Sequence, residues 1–218
     1  LSGPRRFGFG TIRDYTLGIA AILADGRLIH SGGKVVKNVA GYDVQKLFIG
    51  GLGTLGKIVE ATFKLRPVPE RQEFVQKTCA SLAEARKLIE RILDSALAPV
   101  VLDLRSPCVV ILGFEGDFLR IFENLWVAAK LGLSERANLD YDAEFRTRAG
   151  IQKISVLPSE LIETIESLGG RPFVARAGNG IIYCEGPVKL GANPLPRHLF
   201  QRVKDAYDPS HLLPSLPA

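Results

Sequence analysis

Residues 50–65 read Gly50-Gly51-Leu52-Gly53-Thr54-Leu55-Gly56-Lys57-Ile58-Val59-Glu60-Ala61-Thr62-Phe63-Lys64-Leu65, and the order in which this stretch changes character decides the fold. Gly51, Gly53 and Gly56 satisfy the G-x-G-x-x-G spelling of a dinucleotide fingerprint. A phosphate turn of that kind needs a strand before the glycines and a helix after them, so that the helix N-terminus faces a pyrophosphate. Here the order is reversed. Val44, Leu47 and Phe48 fall at helical spacing behind Asp43, which predicts a short capped helix before the glycines. Ile58 to Leu65 alternates as a strand after them. The doubly wound nucleotide-binding fold is therefore excluded. The glycines either let the backbone approach something flat or anionic, or merely permit a tight turn; the residues alone leave both readings open.

Upstream, Leu17 to Leu23 and Arg27 to His30 flank Asp25-Gly26, the pattern of a β-hairpin. Downstream, Arg66-Pro67-Val68-Pro69 stops the strand and gives the best domain boundary in the chain. This predicts two parts, residues 1–69 and 70–218. The second part alternates strands with helices. Strands are expected at 74–78, 100–104, 108–114 and 151–156, with a hairpin of 173–176 and 181–184 around Gly178-Asn179-Gly180. Ser81 and Glu84 open a helix from Leu82 to about Leu97, with Leu82, Ala85, Leu88, Ile89 and Ile92 on one face. Asp117 opens another through Lys130, whose apolar side is expected to hold Leu119 or Phe122, Leu125, Trp126 and Ala129. Helices over 160–168 and 195–206 complete an α+β layer, its sheet antiparallel or mixed and its helices on one face.

The 218 residues carry 28 Lys/Arg against 23 Asp/Glu, for a net charge of +5, and 46% are hydrophobic. Such a composition excludes collagen-like, disordered and disulfide-scaffold chains. The excess of positive charge is confined to residues 1–69, which hold ten basic and four acidic side chains and twelve of the 22 glycines. A basic, glycine-rich front end suits an anionic ligand held by backbone groups, and equally suits a surface kept basic for solubility. The basic residues are scattered singly without interleaved aromatics, which argues against nucleic acid. No apolar run approaches the ~20 residues of a membrane span, and no signal peptide opens the chain. Cys79, Cys108 and Cys184 are odd in number and widely spaced. They are expected to be reduced thiols in a reducing, cytoplasmic compartment. The chain starts at Leu1 and contains no Met, so a fragment or processed chain is expected. No metal-binding constellation is present. His30, His198 and His211 are the only histidines, and none has a carboxylate or Cys at motif spacing, so no catalytic base is assigned.

A more specific signal lies in several motifs together. Lys37-Asn38-Val39-Ala40-Gly41-Tyr42-Asp43, then Leu47-Phe48-Ile49-Gly50, then Gly53-Thr54-Leu55-Gly56 resemble the second half of the PCMH-type FAD-binding domain of the vanillyl-alcohol oxidase family, its glycolate oxidase branch in particular. Leu1-Ser2-Gly3-Pro4 and the run Gly10 to Gly18 resemble the segment just upstream in that family, and Asp208-Pro209 is similar to its closing element. None of these residues resembles the family's first half, which carries the upstream pyrophosphate loop.

The resemblance implies FAD as cofactor, with Ser2, Gly3, Gly10, Thr11, Arg13, Asp14, Asn38, Gly53, Gly56, Ile58 and Val59 along it. The strand after the glycine turn would offer backbone groups. Arg13 either adds charge near the phosphates or is a surface or capping arginine. Tyr42 is expected to brace its loop. The resemblance further implies a subunit of a complex that oxidises a small 2-hydroxy acid, partnered by a second flavoprotein subunit and an iron–sulfur subunit, with attachment to the inner membrane only through those partners. A free-standing FAD-dependent oxidoreductase and a scaffold subunit that has lost its flavin are the alternatives.

Overall fold

The computed structural model describes residues 3–35, 42–188 and 197–215. In chain order the elements are α1 (Arg6–Phe9), α2 (Ile12–Tyr15), β1 (Thr16–Ile22), β2 (Leu28–Gly32), α3 (Gln45–Phe48), β3 (Lys57–Phe63), β4 (Arg71–Thr78), α4 (Leu82–Leu93), β5 (Val101–Arg105), β6 (Val109–Gly116), α5 (Phe118–Lys130), β7 (Glu135–Arg136), α6 (Asp140–Arg146), β8 (Ile151–Ser155), α7 (Leu161–Ser167), β9 (Phe173–Arg176), β10 (Ile181–Glu185) and α8 (Arg197–Tyr207). Single 3-10 turns cover Pro158–Glu160 and Ala177–Asn179.

Contacts divide the chain into two compact units, and the chain passes between them after Pro67. Two segments depart from the division into 1–69 and 70–218. Residues 3–10 pack in the second unit, where the Gly8 amide donates to the Val100 carbonyl. The C-terminal segment containing α8 packs in the first.

The first unit is a three-stranded antiparallel sheet of order β2-β1-β3. Alternation along β1 sends Ile19 and Ala21 to one face, where they meet Leu23, Phe48 and Leu55. Val203 and Tyr207 of α8 pack on that cluster, with the Tyr207 ring edge-on to Phe48 at 5.4 Å. Helix α3 is a single turn. The Asp43 carboxylate does not cap it; it accepts a hydrogen bond from Gln45 Nε2 at 3.0 Å.

The second unit is a seven-stranded sheet of order β7-β4-β6-β5-β9-β10-β8, antiparallel at every pairing. Leu102, Leu104, Val110, Leu112 and Ile182 line one face and meet α4, α5 and α7 in a single core. Each such side chain contributes roughly 1.5–3 kcal/mol by leaving water. Helix α4 starts as the sequence predicts, with Ser81 Oγ accepting from the Glu84 amide, but ends at Leu93 rather than about Leu97. Helices do not keep to one face. Phe145 and Tyr141 of α6 pack with Val174, Ile181 and Tyr183 on the opposite side.

Helix α5 is turned differently from expectation. Ile121 and Ala128 are buried against the sheet with Leu125 partly so, whereas Leu119, Phe122, Trp126 and Ala129 face outward. The helix is apolar on two sides, so hydropathy alone did not choose between them. Its small Ala128 lies on the inward side, where a helix approaches a sheet closely.

Candidate functional site

In the first unit, residues 11–14 form a closed local circuit. Asp14 Oδ2 accepts from the Thr11 amide at 2.7 Å and from Thr11 Oγ1 at 2.8 Å, a capping box that starts α2. These hydrogen bonds hold the Asp14 carboxyl below its ordinary range. Arg13 Nε donates to the Lys46 carbonyl at 3.2 Å, and Lys46 Nζ donates in return to the Arg13 carbonyl and to that of Thr16. Arg13 is exposed beyond this tie. Both charges therefore lock α2 to α3 while remaining at the surface. Gly3 and Gly10 are exposed and belong to the second unit. Ser2 and Asn38 lie outside the described residues. Tyr42 is 94% exposed, so its side chain does not brace the loop by packing.

The glycine turn carries the other group of expected residues. Gly53 holds φ at +80°, and a Cβ there would meet open space. Gly56 is forced by packing, since a Cβ would stand 2.8 Å from the Ile22 carbonyl oxygen and 3.0 Å from Phe48 Cε1. Between Gly51 and Gly53, Leu52 adopts φ of +52° with its side chain 74% exposed. A leucine in the left-handed region is costly, and here no burial offsets it.

Strand β3 leaves the turn as an edge strand. Six of its seven residues are exposed, Ile58, Val59 and Phe63 among them. Ala20 pairs with Glu60 and Ala21 with Ile58, so the register skips Val59, the extra residue of a bulge. Along the side away from β1 no strand pairs with β3 among the described residues. A strand edge of this kind can offer backbone groups to a ligand, and apolar side chains accompany it here.

The two groups are not brought together. The β1–β3 ladder runs from Thr16 opposite Phe63 to Ile22 opposite Lys57. Residues 11–14 precede its first end and Gly56 its second, a separation on the order of 20 Å along the strand. A single ligand reaching both is long and extended.

A buried pair anchors the glycine turn. Lys204 of α8 donates to the Thr54 carbonyl at 2.8 Å and to Asp208, whose carboxylate also accepts from the amides of Leu212 and Leu213 at 2.9 Å each. Burial raises the Asp208 carboxyl, but the Lys204 ammonium and the two amides more than offset this and hold it at about 2. The sequence reading found Asp208 through its Asp-Pro step and missed Lys204. The signal was the i, i+4 spacing of opposite charges at the end of an amphipathic helix.

The second unit holds a different polar cluster, also missed. Arg176 on β9 stands opposite Asp103 on β5. Its guanidinium donates to Asp103 and to Asp142 of α6, while the Tyr141 hydroxyl donates to Asp103 at 2.6 Å. Arg176 and Asp103 are essentially inaccessible. Asp103 Oδ1 and Arg176 Nε have no partner among the described residues. Burial pushes the Asp103 carboxyl up to about 6, against the pull of Arg176 and the Tyr141 hydrogen bond. Without solvent access this cluster cannot bind a substrate, and its role is to fix α6 on the sheet. The sequence signal was a charge of each sign inside the apolar runs VLDL and FVAR.

His30, His198 and His211 are exposed, and His211 Nε2 lies 3.8 Å from Asp205. Among the described residues no group of His, Cys, Asp and Glu is arranged to hold a metal ion. Cys79, Cys108 and Cys184 are free and buried, and burial pushes the Cys108 thiol up to about 11. No helix among the described residues is long and apolar enough to cross a membrane.

Two solved structures superpose over nearly the whole chain. Alkyldihydroxyacetonephosphate synthase matches 97% of this chain and 56% of its own, with a TM-score of 0.64 and 14% identity. Glucooligosaccharide oxidase from Acremonium strictum, described with a 6-S-cysteinyl, 8α-N1-histidyl FAD, matches 96% and 58%, with a TM-score of 0.51 and 15% identity. The chain shares their fold. In sequence it is similar to glycolate oxidase subunit GlcD of Bacillus subtilis, 36% identical over 111 residues, covering 50% of this chain and 24% of that protein. It is also similar to subunit GlcE of Escherichia coli, 39% identical over 90 residues, covering 38% and 26%. The chain thus spans about a quarter of the length of these curated relatives. No protein-family model matches it.

Proposed function

We propose that this chain is a flavin-binding portion of an FAD-linked oxidoreductase of the glycolate oxidase type, acting on a small 2-hydroxy acid. The observation that carries the reading is strand β3, an unburied apolar edge with a bulge at Val59 that issues from a strained glycine turn. Similarity to GlcD and GlcE and the shared fold with a flavin-bearing oxidase support it.

The residues fit an FAD nucleotide. Its pyrophosphate and ring edge are rich in acceptors that backbone N–H groups satisfy without a particular side chain, and its ring offers flat apolar faces. Ile58 and Val59 would lie along the ring or its linker, Gly53 would let the backbone approach, and Arg13 with Lys46 would face the anionic part. When bound, FAD supplies the two-electron acceptor. The chain's own part is to hold that group and exclude water from it. Lys204 and Asp208 keep the turn in place. By the same reading the partners are a second flavoprotein subunit and an iron–sulfur subunit.

The test is oxidation of glycolate and D-lactate, with a dye as acceptor, by the native gene product together with its co-purifying subunits. Turnover is expected to rise in proportion to flavin content. A flavin-loaded preparation that oxidises neither acid, or turnover undiminished after flavin removal, would overturn the proposal.

A further inference from the structure

Helix α5 presents apolar side chains away from the core as well as toward it. Phe118, Leu119, Phe122 and Trp126 are each more than half exposed. Phe118, Phe122 and Trp126 recur every fourth residue and so form one ridge, with the first two rings stacked 6.4 Å apart. Beside the ridge runs a groove of about 460 Å³ lined by Ala96, Leu97, Phe122, Trp126 and Val127. An aromatic side chain carries ~150–250 Å², so the ridge exposes on the order of 400–500 Å². That reaches the upper range for a monomer's largest patch and is about half of the ~800 Å² one partner gives a standard interface.

Charge selects the occupant. The Arg71 guanidinium sits 5.0 Å above the Phe118 ring, and the Lys130 ammonium 3.1 Å from the centre of the Trp126 ring. Among the described residues neither makes an ion pair. They mark the two ends of the ridge, ~12 Å apart by the helical rise. Asp117 at the first end uses its carboxylate on the Arg120 amide at 2.9 Å, which leaves Glu123 as the acid at the groove. Two copies laid ridge to ridge in antiparallel fashion would set Arg71 of one against Lys130 of the other, and in parallel fashion would set like against like. Self-association along this ridge is therefore opposed by charge.

We propose that the α5 ridge is the docking site for an apolar helix of a different protein subunit, one that carries a carboxylate at each end of its apolar stripe and seats an aliphatic side chain in the groove. This is helix-in-groove recognition with charge fixing the register.

Trp126 is the chain's single tryptophan, which makes the test direct. Two synthetic, tryptophan-free helical peptides share one leucine stripe and differ only in carrying Glu or Lys at both ends. Titrated into the whole chain, the Glu-flanked peptide is expected to shift Trp126 emission to the blue, saturably, and to bind at least about tenfold tighter than the Lys-flanked one, with the gap narrowing in 1 M salt. Phe122→Ser, outside the core, is expected to abolish the shift with an unchanged circular dichroism spectrum. No shift with the Glu-flanked peptide, equal affinity for both peptides, or a concentration-dependent blue shift with a dimer mass in sedimentation and no peptide present would each overturn the proposal.

Discussion

Strands β3 and β6 form a natural contrast. Both pair antiparallel with a neighbour of equal length, β6 with β4 and β3 with β1, yet six of the eight residues of β6 are buried and none of the seven of β3 is. Strand β6 sits inside a seven-stranded sheet with helices over it, and its side chains are satisfied within the second unit. Strand β3 closes a three-stranded sheet and leaves apolar side chains and one row of backbone groups uncovered. The difference teaches that the sheet around β6 completes its own core, whereas β3 presents a surface that something else completes. We read that something as a flavin nucleotide.

The contrast breaks most sharply in the second unit. Arg176→Met would leave Asp103 and Asp142 buried without their cation, and unfolding of that unit by urea is expected to show a loss of ~3–5 kcal/mol. Hydrogen exchange along β1 and β3 should be unchanged by it. Leu112→Ala opens a cavity in the saturated core and is expected to cost ~2–5 kcal/mol by the same measurement. Val59→Ala on β3 removes comparable apolar substance, yet stability should move by no more than ~0.5 kcal/mol, because the side chain is already in water.

Asp103 and Asp208, both buried, provide a subtler pair, since pH moves them in opposite senses. Asp103 titrates at about 6 in the fold, above the ~3.9 of an unfolded aspartate. The folded state therefore holds the extra proton, and this group's contribution to stability falls as pH rises from ~4 through 6. Asp208 is held at about 2. Its contribution is complete above ~4 and is lost as pH falls toward 2. Asp103→Asn is expected to flatten the second unit's pH profile between 4 and 6, and Asp208→Asn that of the first unit below 4. Both are readable by thermal melts across pH. Asp208→Asn should also loosen the Thr54 turn, seen as faster amide exchange at residues 51–56.

Much of this architecture is legible in the sequence because local signals agree with tertiary packing there. Asp25-Gly26 places the first hairpin, Pro67 the passage between units, and Ser81 the start of α4. What was not legible depends on long-range pairing. The facing of α5 is set by the sheet beneath it, because both its sides are apolar. The Arg176–Asp103 pair exists only through the β5–β9 register, and the Lys204 tie to Thr54 spans 150 residues. At the candidate site, the glycine turn and the following strand were readable from order alone. The occupation of Thr11 and Asp14 by each other was not, since a capping box and a ligand loop share the same residue types.

The central claim is tested most directly by titrating FAD into the native gene product and into its Val59→Pro variant, following quenching of flavin fluorescence. Proline is tolerated at a bulge of an edge strand, where it removes one backbone N–H with little harm to the sheet, so the variant should retain its circular dichroism spectrum. The account predicts saturable binding by the unaltered protein and a loss of at least about tenfold in the variant, the scale of one hydrogen bond to a charged or strongly polar group. No binding by the unaltered protein, or equal binding by the two, would contradict it.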